Sequence, residues 1–199
     1  MQLYHGSPSL FDRFDLSGAG EGTGIKYGFG VYLTEVEKSA VHYSQPRHLE
    51  LQPDHYLYTV EIPDLTPDNH LVSALPVPAP IVSRVEERLG QKAPDKAVAK
   101  GKEFRQWIGM TLTGTKDAGF AEEKAAAELL DSVGVLYNVW PNAQVKVTAD
   151  MDVEAYMRKP KNIAVFNADN VRIVKREHIE IENKCKKWVL VEGSRREVQ

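Results

Sequence analysis

The chain holds a single cysteine, Cys185, so no internal disulfide can form. It stands between lysines, which favour a thiolate. No histidine or acid pattern around it marks a nucleophile, and a spectator thiol is the expectation. Long apolar runs are also missing. No segment offers the roughly 20 apolar residues that a bilayer demands. The N-terminus lacks a charged leader followed by an apolar stretch, so neither a membrane partner nor secretion is expected, and the cytoplasm is the expected location. Charge of one sign is scarce as well. The formal net charge of −3 gives no global electrostatic pull toward nucleic acid. Local basic clusters at 158–161, 184–187 and 195–196 read as solvated surface. The histidines fall at no metal-ligand spacing, and one cysteine makes no zinc pattern, so no metal is expected.

With 42% hydrophobic and 27% charged residues, the chain has an ordinary globular composition. Its 199 residues suffice for one domain, 1–199, with its own core. Short strands are expected at 2–5, 31–33, 56–62, 135–140, 162–167, 171–181 and 187–191, from their β-branched and aromatic content. Helices are expected at 35–43, with Thr34 as N-cap, and at 81–89, 103–112 and 121–133, the last closed by Gly134. Residues 65–79 read as proline-rich and irregular, 91–101 as a linker, and 144–158 as ambiguous between helix and strand. Strands lie toward both ends and helices mostly between them. This order predicts an α+β domain with a mixed or antiparallel sheet, not βαβ repetition.

Two stretches carry chemistry. The first is Tyr4-His5-Gly6-Ser7 on the opening strand. The second runs from Tyr27 through Gly28, Phe29, Gly30, Val31 and Tyr32 to Tyr43. Tyr32 falls on a strand and Tyr43 on a helix eleven positions later. Aromatic faces so placed can flank a flat, cationic ring such as the nicotinamide of NAD+. The main chain of a glycine can read the nicotinamide amide, because no side chain blocks the approach. His5 beside Gly6 can donate to a ribose hydroxyl. The glycines between 18 and 30 form no Rossmann fingerprint, because no strong strand precedes them and a strand follows. No Gly-Lys-Ser/Thr follows them, which excludes a Walker loop. Trp107, Trp140 and Trp188 are expected in core or interface positions.

These stretches, with Ser39-Ala40-Val41-His42-Tyr43 and the later run Asn162-Ile163-Ala164-Val165-Phe166-Asn167, resemble ADP-ribosyltransferases of the diphtheria-toxin and poly-ADP-ribose-polymerase type. Small bacterial and phage members, found in polyvalent and toxin proteins, look most similar. The resemblance covers about residues 2–64 and 120–176. It implies a split β-sandwich core with helical insertions, and NAD+ as substrate without a metal. It assigns His5, Tyr32 and Asn162 to catalysis. It assigns His5, Gly6, Ser7, Tyr27, Gly30, Tyr32 and Tyr43 to NAD+ binding, with the nicotinamide between Tyr32 and Tyr43.

Asn162 is the departure. The family carries a glutamate there, which holds a ribose hydroxyl and helps orient the acceptor. An amide can hydrogen-bond but cannot act as a base. Polymer growth is therefore not expected, and single ADP-ribose transfer is. The resemblance implies an intracellular toxin of a toxin–antitoxin or phage-defence system, acting on nucleic acid or protein and restrained by an antitoxin partner. The alternative is a silent module that binds NAD+ or ADP-ribose. Glu122 and Glu123 open a helix, where carboxylates are stabilised without any catalytic reason.

Overall fold

The computed structural model describes residues 1–17, 25–45, 50–51, 54–142 and 156–198. Most of the glycine-rich loop and the ambiguous 144–158 stretch up to residue 155 lie outside the described residues.

The N-terminal half alternates short apolar strands with one helix. Its elements are β1 (Gln2–Ser7), β2 (Val31–Thr34), α1 (Glu37–Tyr43), β3 (His55–Glu61) and β4 (His70–Val72). A helical stretch follows, with α2 (Ala79–Leu89), α3 (Asp95–Val98), α4 (Gly101–Thr113) and α5 (Phe120–Ser132). The chain ends in strands β5 (Tyr137–Pro141), β6 (Lys161–Val165), β7 (Arg172–Ile179), β8 (Ile181–Lys184), β9 (Lys187–Leu190) and β10 (Arg196–Glu197). The mixed α+β class is thus present, with helices set between two groups of strands. One eight-stranded sheet has the order β10-β7-β3-β1-β2-β6-β5-β4, and β8 with β9 forms a separate hairpin. Every pairing in the large sheet is antiparallel except β4 with β5.

Pairing along the sheet is uneven, and this positions the site. β1 is matched to β3 along its whole length, from Gln2↔Glu61 to Ser7↔Tyr56. With β2 it shares one register pair, Tyr4↔Thr34. β2 is in turn fully matched to β6. The sheet therefore opens beyond Tyr4, between a half led by β1 and a half led by β2.

Alternation along the strands sorts side chains to two faces. Leu3, Val31, Leu33, Tyr58, Val60, Tyr137, Val139, Ile163 and Val165 gather on one face and bury one apolar cluster, with Phe11, Phe14 and Leu16 packed against it. On the other face, α1 packs over β1. A Cβ on Gly6 would collide with the Ala40 carbonyl and lie 2.9 Å from the Ser44 amide. At the far edge α4 packs over β4, where a Cβ on Gly101 would collide with the Val72 carbonyl. Ile81, Val85, Phe104, Ile108, Ala126 and Leu130 bury the helical core there, together with Leu71 of β4. The strands between those two covers are β2, β6 and β5.

Several local expectations shift. Thr34 does not cap α1. Its Oγ1 accepts from the Val36 amide at 3.1 Å, and the helix begins two residues later than expected. The proline-rich stretch contains β4, and the linker contains α3. Leu112, near the end of α4, is exposed. On α5 the buried face carries Glu122 and Glu123 beside Ala126, Ala127, Leu129 and Leu130.

Candidate active site

The opening between β1 and β2 brings the His5 imidazole to the Tyr32 main chain, while alternation sends the two side chains to opposite faces, His5 beside Tyr58 and Tyr32 beside Trp140. His5 Nδ1 lies 2.8 Å from the Tyr32 carbonyl oxygen. A carbonyl only accepts, so Nδ1 carries the proton. The imidazole packs edge-on against Phe14 at 5.0 Å, with Phe11 and Tyr58 each at 6.1 Å. Burial among these rings lowers the His5 pKa, and the Tyr32 carbonyl pulls more weakly the other way. The neutral tautomer leaves Nε2 unprotonated, and among the described residues nothing donates to it. His5 therefore offers an acceptor at Nε2. The donor role expected for it is already taken up by the protein main chain.

Tyr32 is fixed from two sides. Its hydroxyl donates to the Gly28 carbonyl at 2.7 Å and accepts from the Tyr27 amide at 3.3 Å. Its ring meets Trp140 edge-on at 5.6 Å. Burial pushes its phenol up to about 12, so it stays protonated at any physiological pH. Tyr27 stacks on Trp140 with centroids 4.2 Å apart and planes 2° from parallel. Such a pair contributes about 0.5–1.5 kcal/mol beyond its buried area. The Tyr27 carbonyl accepts from Asn138 Nδ2 at 2.7 Å, which ties the turn to β5.

Asn162 sits opposite Thr34 on one side and opposite Trp140 on the other. Alternation places it on the face that carries Tyr32, Thr34 and Trp140. Its Oδ1 accepts from Asn142 Nδ2 at 2.8 Å. Asn142 Nδ2 also reaches Thr34 Oγ1 and Ser39 Oγ, each at 3.0 Å. A network of amides and hydroxyls thus joins β5, β6, β2 and α1. With Oδ1 engaged, Asn162 presents its Nδ2 donor. Next to it, Glu35 accepts from the Lys161 amide at 2.7 Å and lies 3.7 Å from the Lys161 ammonium.

The remaining expected residues divide. Gly6 and Gly30 are required by packing. Gly6 admits α1, as described, while Gly30 has φ +152° and a Cβ there would collide with the Val165 carbonyl. Ser7 is buried, and its Oγ accepts from the Ser9 amide at 3.0 Å. Among the described residues the β2-facing main chain beyond Tyr4 nevertheless has no strand partner, so main-chain groups of the His5–Ser7 stretch face the opening. Tyr43 is half exposed at the end of α1, and its ring contact is with His42 at 5.3 Å. Tyr32 and Tyr43 make no ring contact with each other. His42 accepts at Nδ1 from the Trp188 amide at 3.1 Å and so ties α1 to β9.

Three contributors carry no signal in the sequence: Trp140, Asn142 and Arg105. Arg105 of α4 is fully buried and paired with Glu123 of α5, the second contact running from Nη2 to Oε1 at 3.3 Å. Removing one partner of such a pair costs about 3–5 kcal/mol, because the other charge stays buried. Glu122 accepts from the Gly119 amide at 2.9 Å and closes the start of α5. Both acids spend these contacts inside the helical layer, on Arg105, Thr115 and the Gly119 amide. A hollow of about 410 Å³ lies beside Phe14, lined also by Arg13, Asp15, Ala168, Asp169 and Val171. Another, between Arg84, Glu87, Arg88 and Val133, shares no residue with the site. Among the described residues, no helix is long and apolar enough to cross a membrane, and no group of three or more His, Cys, Asp or Glu gathers as a metal would require.

The chain matches no family model, no curated protein and no solved structure.

Proposed function

We propose that this chain is an NAD+-dependent mono-ADP-ribosyltransferase, which releases nicotinamide and passes ADP-ribose to a macromolecule, either a nucleic acid or a protein. One observation carries the reading. The sheet parts between β1 and β2, and His5 bridges the gap to the Tyr32 carbonyl at 2.8 Å. A parted sheet is compatible with the split β-sandwich that the resemblance implies. Asn162 on the face that carries the Tyr32 side chain supports it, across the sheet from the His5 imidazole.

In this reading NAD+ lies across the gap. Main-chain groups of His5–Ser7 bind the carboxamide. His5 Nε2 accepts from a ribose hydroxyl. Tyr32, held by Trp140 and the Gly28 carbonyl, lays its ring on the nicotinamide, and Tyr43 closes over it from α1. The bond between ribose C1′ and the nicotinamide nitrogen breaks, and its electron pair leaves with neutral nicotinamide. The cationic sugar that remains needs orientation and surrounding electron density more than a strong nucleophile. An acceptor lone pair then forms the new bond to C1′, and the acceptor proton passes to water. Asn162 Nδ2 donates to a ribose oxygen during this exchange.

Incubation with labelled NAD+ and a cell lysate tests the proposal. Label should enter a macromolecule, and separate nuclease and protease digestion assigns the acceptor. Tyr32→Ala, checked for folding by its melting profile, should abolish both labelling and nicotinamide release. Absence of nicotinamide release from the parent protein sinks the enzyme. A second reading, a silent NAD+ or ADP-ribose binding module, is favoured by the amide at 162 with its Oδ1 already engaged. It requires calorimetric binding of NAD+ without any turnover.

A further inference from the structure

The turn that holds Tyr27 and Tyr32 rests on the helical layer, not only on the sheet. Gly28 has φ +105°, and a Cβ there would lie 2.8 Å from Arg105 Nε and 3.1 Å from Cζ. The guanidinium therefore packs directly against the Gly28 main chain. The carbonyl of the same residue accepts the Tyr32 hydroxyl at 2.7 Å. The next residue, Phe29, is 5% exposed and buried in the helical core, with Phe120 edge-on at 5.5 Å. Glu123 holds Arg105 from α5 through two contacts.

Stability alone does not account for this pair. Buried ion pairs are often no more stabilising than apolar residues of similar volume. Arg105 Nη1 is moreover buried without a hydrogen-bond partner among the described residues, which costs further stability. What an apolar pair could not do is set a rigid planar group at a fixed height beneath Gly28.

We infer that Arg105, clasped by Glu123, is a positioning residue for the nicotinamide pocket, fixing the Gly28 turn that orients Tyr32 and Tyr27. The inference rests on the NAD+ reading above. The helices between β4 and β5 thereby serve as the backing against which the tyrosine turn is set.

The test uses the full chain and two readouts. The first is tyrosine-selective NMR, with Tyr27 and Tyr32 assigned by Tyr→Phe substitution. The second is KM and kcat for nicotinamide release from NAD+. Arg105→Met with Glu123→Met removes both charges together, so no lone charge is left buried. The Tyr27 and Tyr32 signals should shift and broaden, and KM should rise about tenfold, as misplacement of a binding ring implies. Ile108→Val, in the same helix and core, should lower the melting temperature without moving either readout. If the double variant fails to fold, Arg105→Lys keeps the charge and removes the planar group, and the same two shifts are expected. A folded variant whose tyrosine signals and KM match the parent overturns the inference. If the parent does not turn over NAD+, the NMR readout alone decides. Tyrosine signals that still move then keep the positioning role and place the failure on the NAD+ reading.

Discussion

Asn162 sits at a junction of amides and hydroxyls, and its surroundings define what a carboxylate would meet there. Asn142 Nδ2 already points at Oδ1 from 2.8 Å, and Thr34 and Ser39 hold Asn142 in place. A carboxylate oxygen at the same position would accept that N–H and leave its second oxygen free for a ribose hydroxyl or an acceptor proton. Asn162→Glu should therefore fold and raise nicotinamide release by about a hundredfold, the lower end of what a positioned base supplies. Asn162→Ala should lower it. Equal rates for parent and Asn162→Glu would mean that this position does not touch the reacting sugar. His5, Tyr32 and Asn162 could be named as candidates from the sequence because each stands in a short contiguous motif. Trp140, Asn142 and Arg105 were not. Asn142 meets Asn162 across 20 positions, through a β5–β6 register that no local pattern announces. Arg105 looks in sequence like any polar position on a helix, and only its burial against Gly28 and Glu123 distinguishes it.

The contact between α1 and β1 depends on one missing side chain. Gly6 lies where the helix backbone comes closest to the strand, and a methyl group there meets the Ala40 carbonyl and the Ser44 amide. Neither neighbour is a flexible side-chain end, so the helix must move as a body. Gly6→Ala should cost about 1–3 kcal/mol by overpacking, seen as an earlier urea midpoint with an unchanged slope. A midpoint equal to the parent's would show that α1 slides freely and that the glycine is not required by packing. Displacement of α1 also moves Ser39 and Tyr43, so NAD+ affinity should fall in the same variant. Long periodic segments such as α2, α4 and α5 could be read from sequence to within two residues. β4 could not, because three residues in a proline-rich stretch gain strand geometry only from a parallel partner beyond the whole helical layer. The start of α1 was misplaced because Thr34 offers a capping hydroxyl but spends it on the bend before the helix.

Across the whole molecule, buried and half-buried titratable groups bracket a window of maximum stability. On the acid side stand His5 and His70, both with lowered pKa, chiefly because burial disfavours the imidazolium. In the unfolded chain a histidine binds its proton near pH 6.5. Below that pH the unfolded chain holds more protons than the folded one, so stability falls as pH drops, until the folded histidines also titrate. On the alkaline side stand Tyr32, Tyr58, Tyr137 and Tyr156, each raised by burial to about 12. Their unfolded counterparts lose protons near pH 10, so stability declines as pH rises from about 10 toward 12. Melting temperature should thus be flat between about pH 7 and 9.5 and fall on either side. His5→Gln with His70→Gln should flatten the acid limb above pH 5 and leave the alkaline limb alone. A melting temperature that climbs as pH falls from 7 to 6 would mean that the two imidazoles are welcomed as cations, against their packing. Nicotinamide release should follow a different rule from stability. His5 is already neutral at pH 7, so turnover should hold steady from pH 7 to pH 8, where a required imidazolium would instead be lost. A fall in turnover across that interval, with the fold intact, would assign His5 a charge that its burial among aromatic rings disfavours.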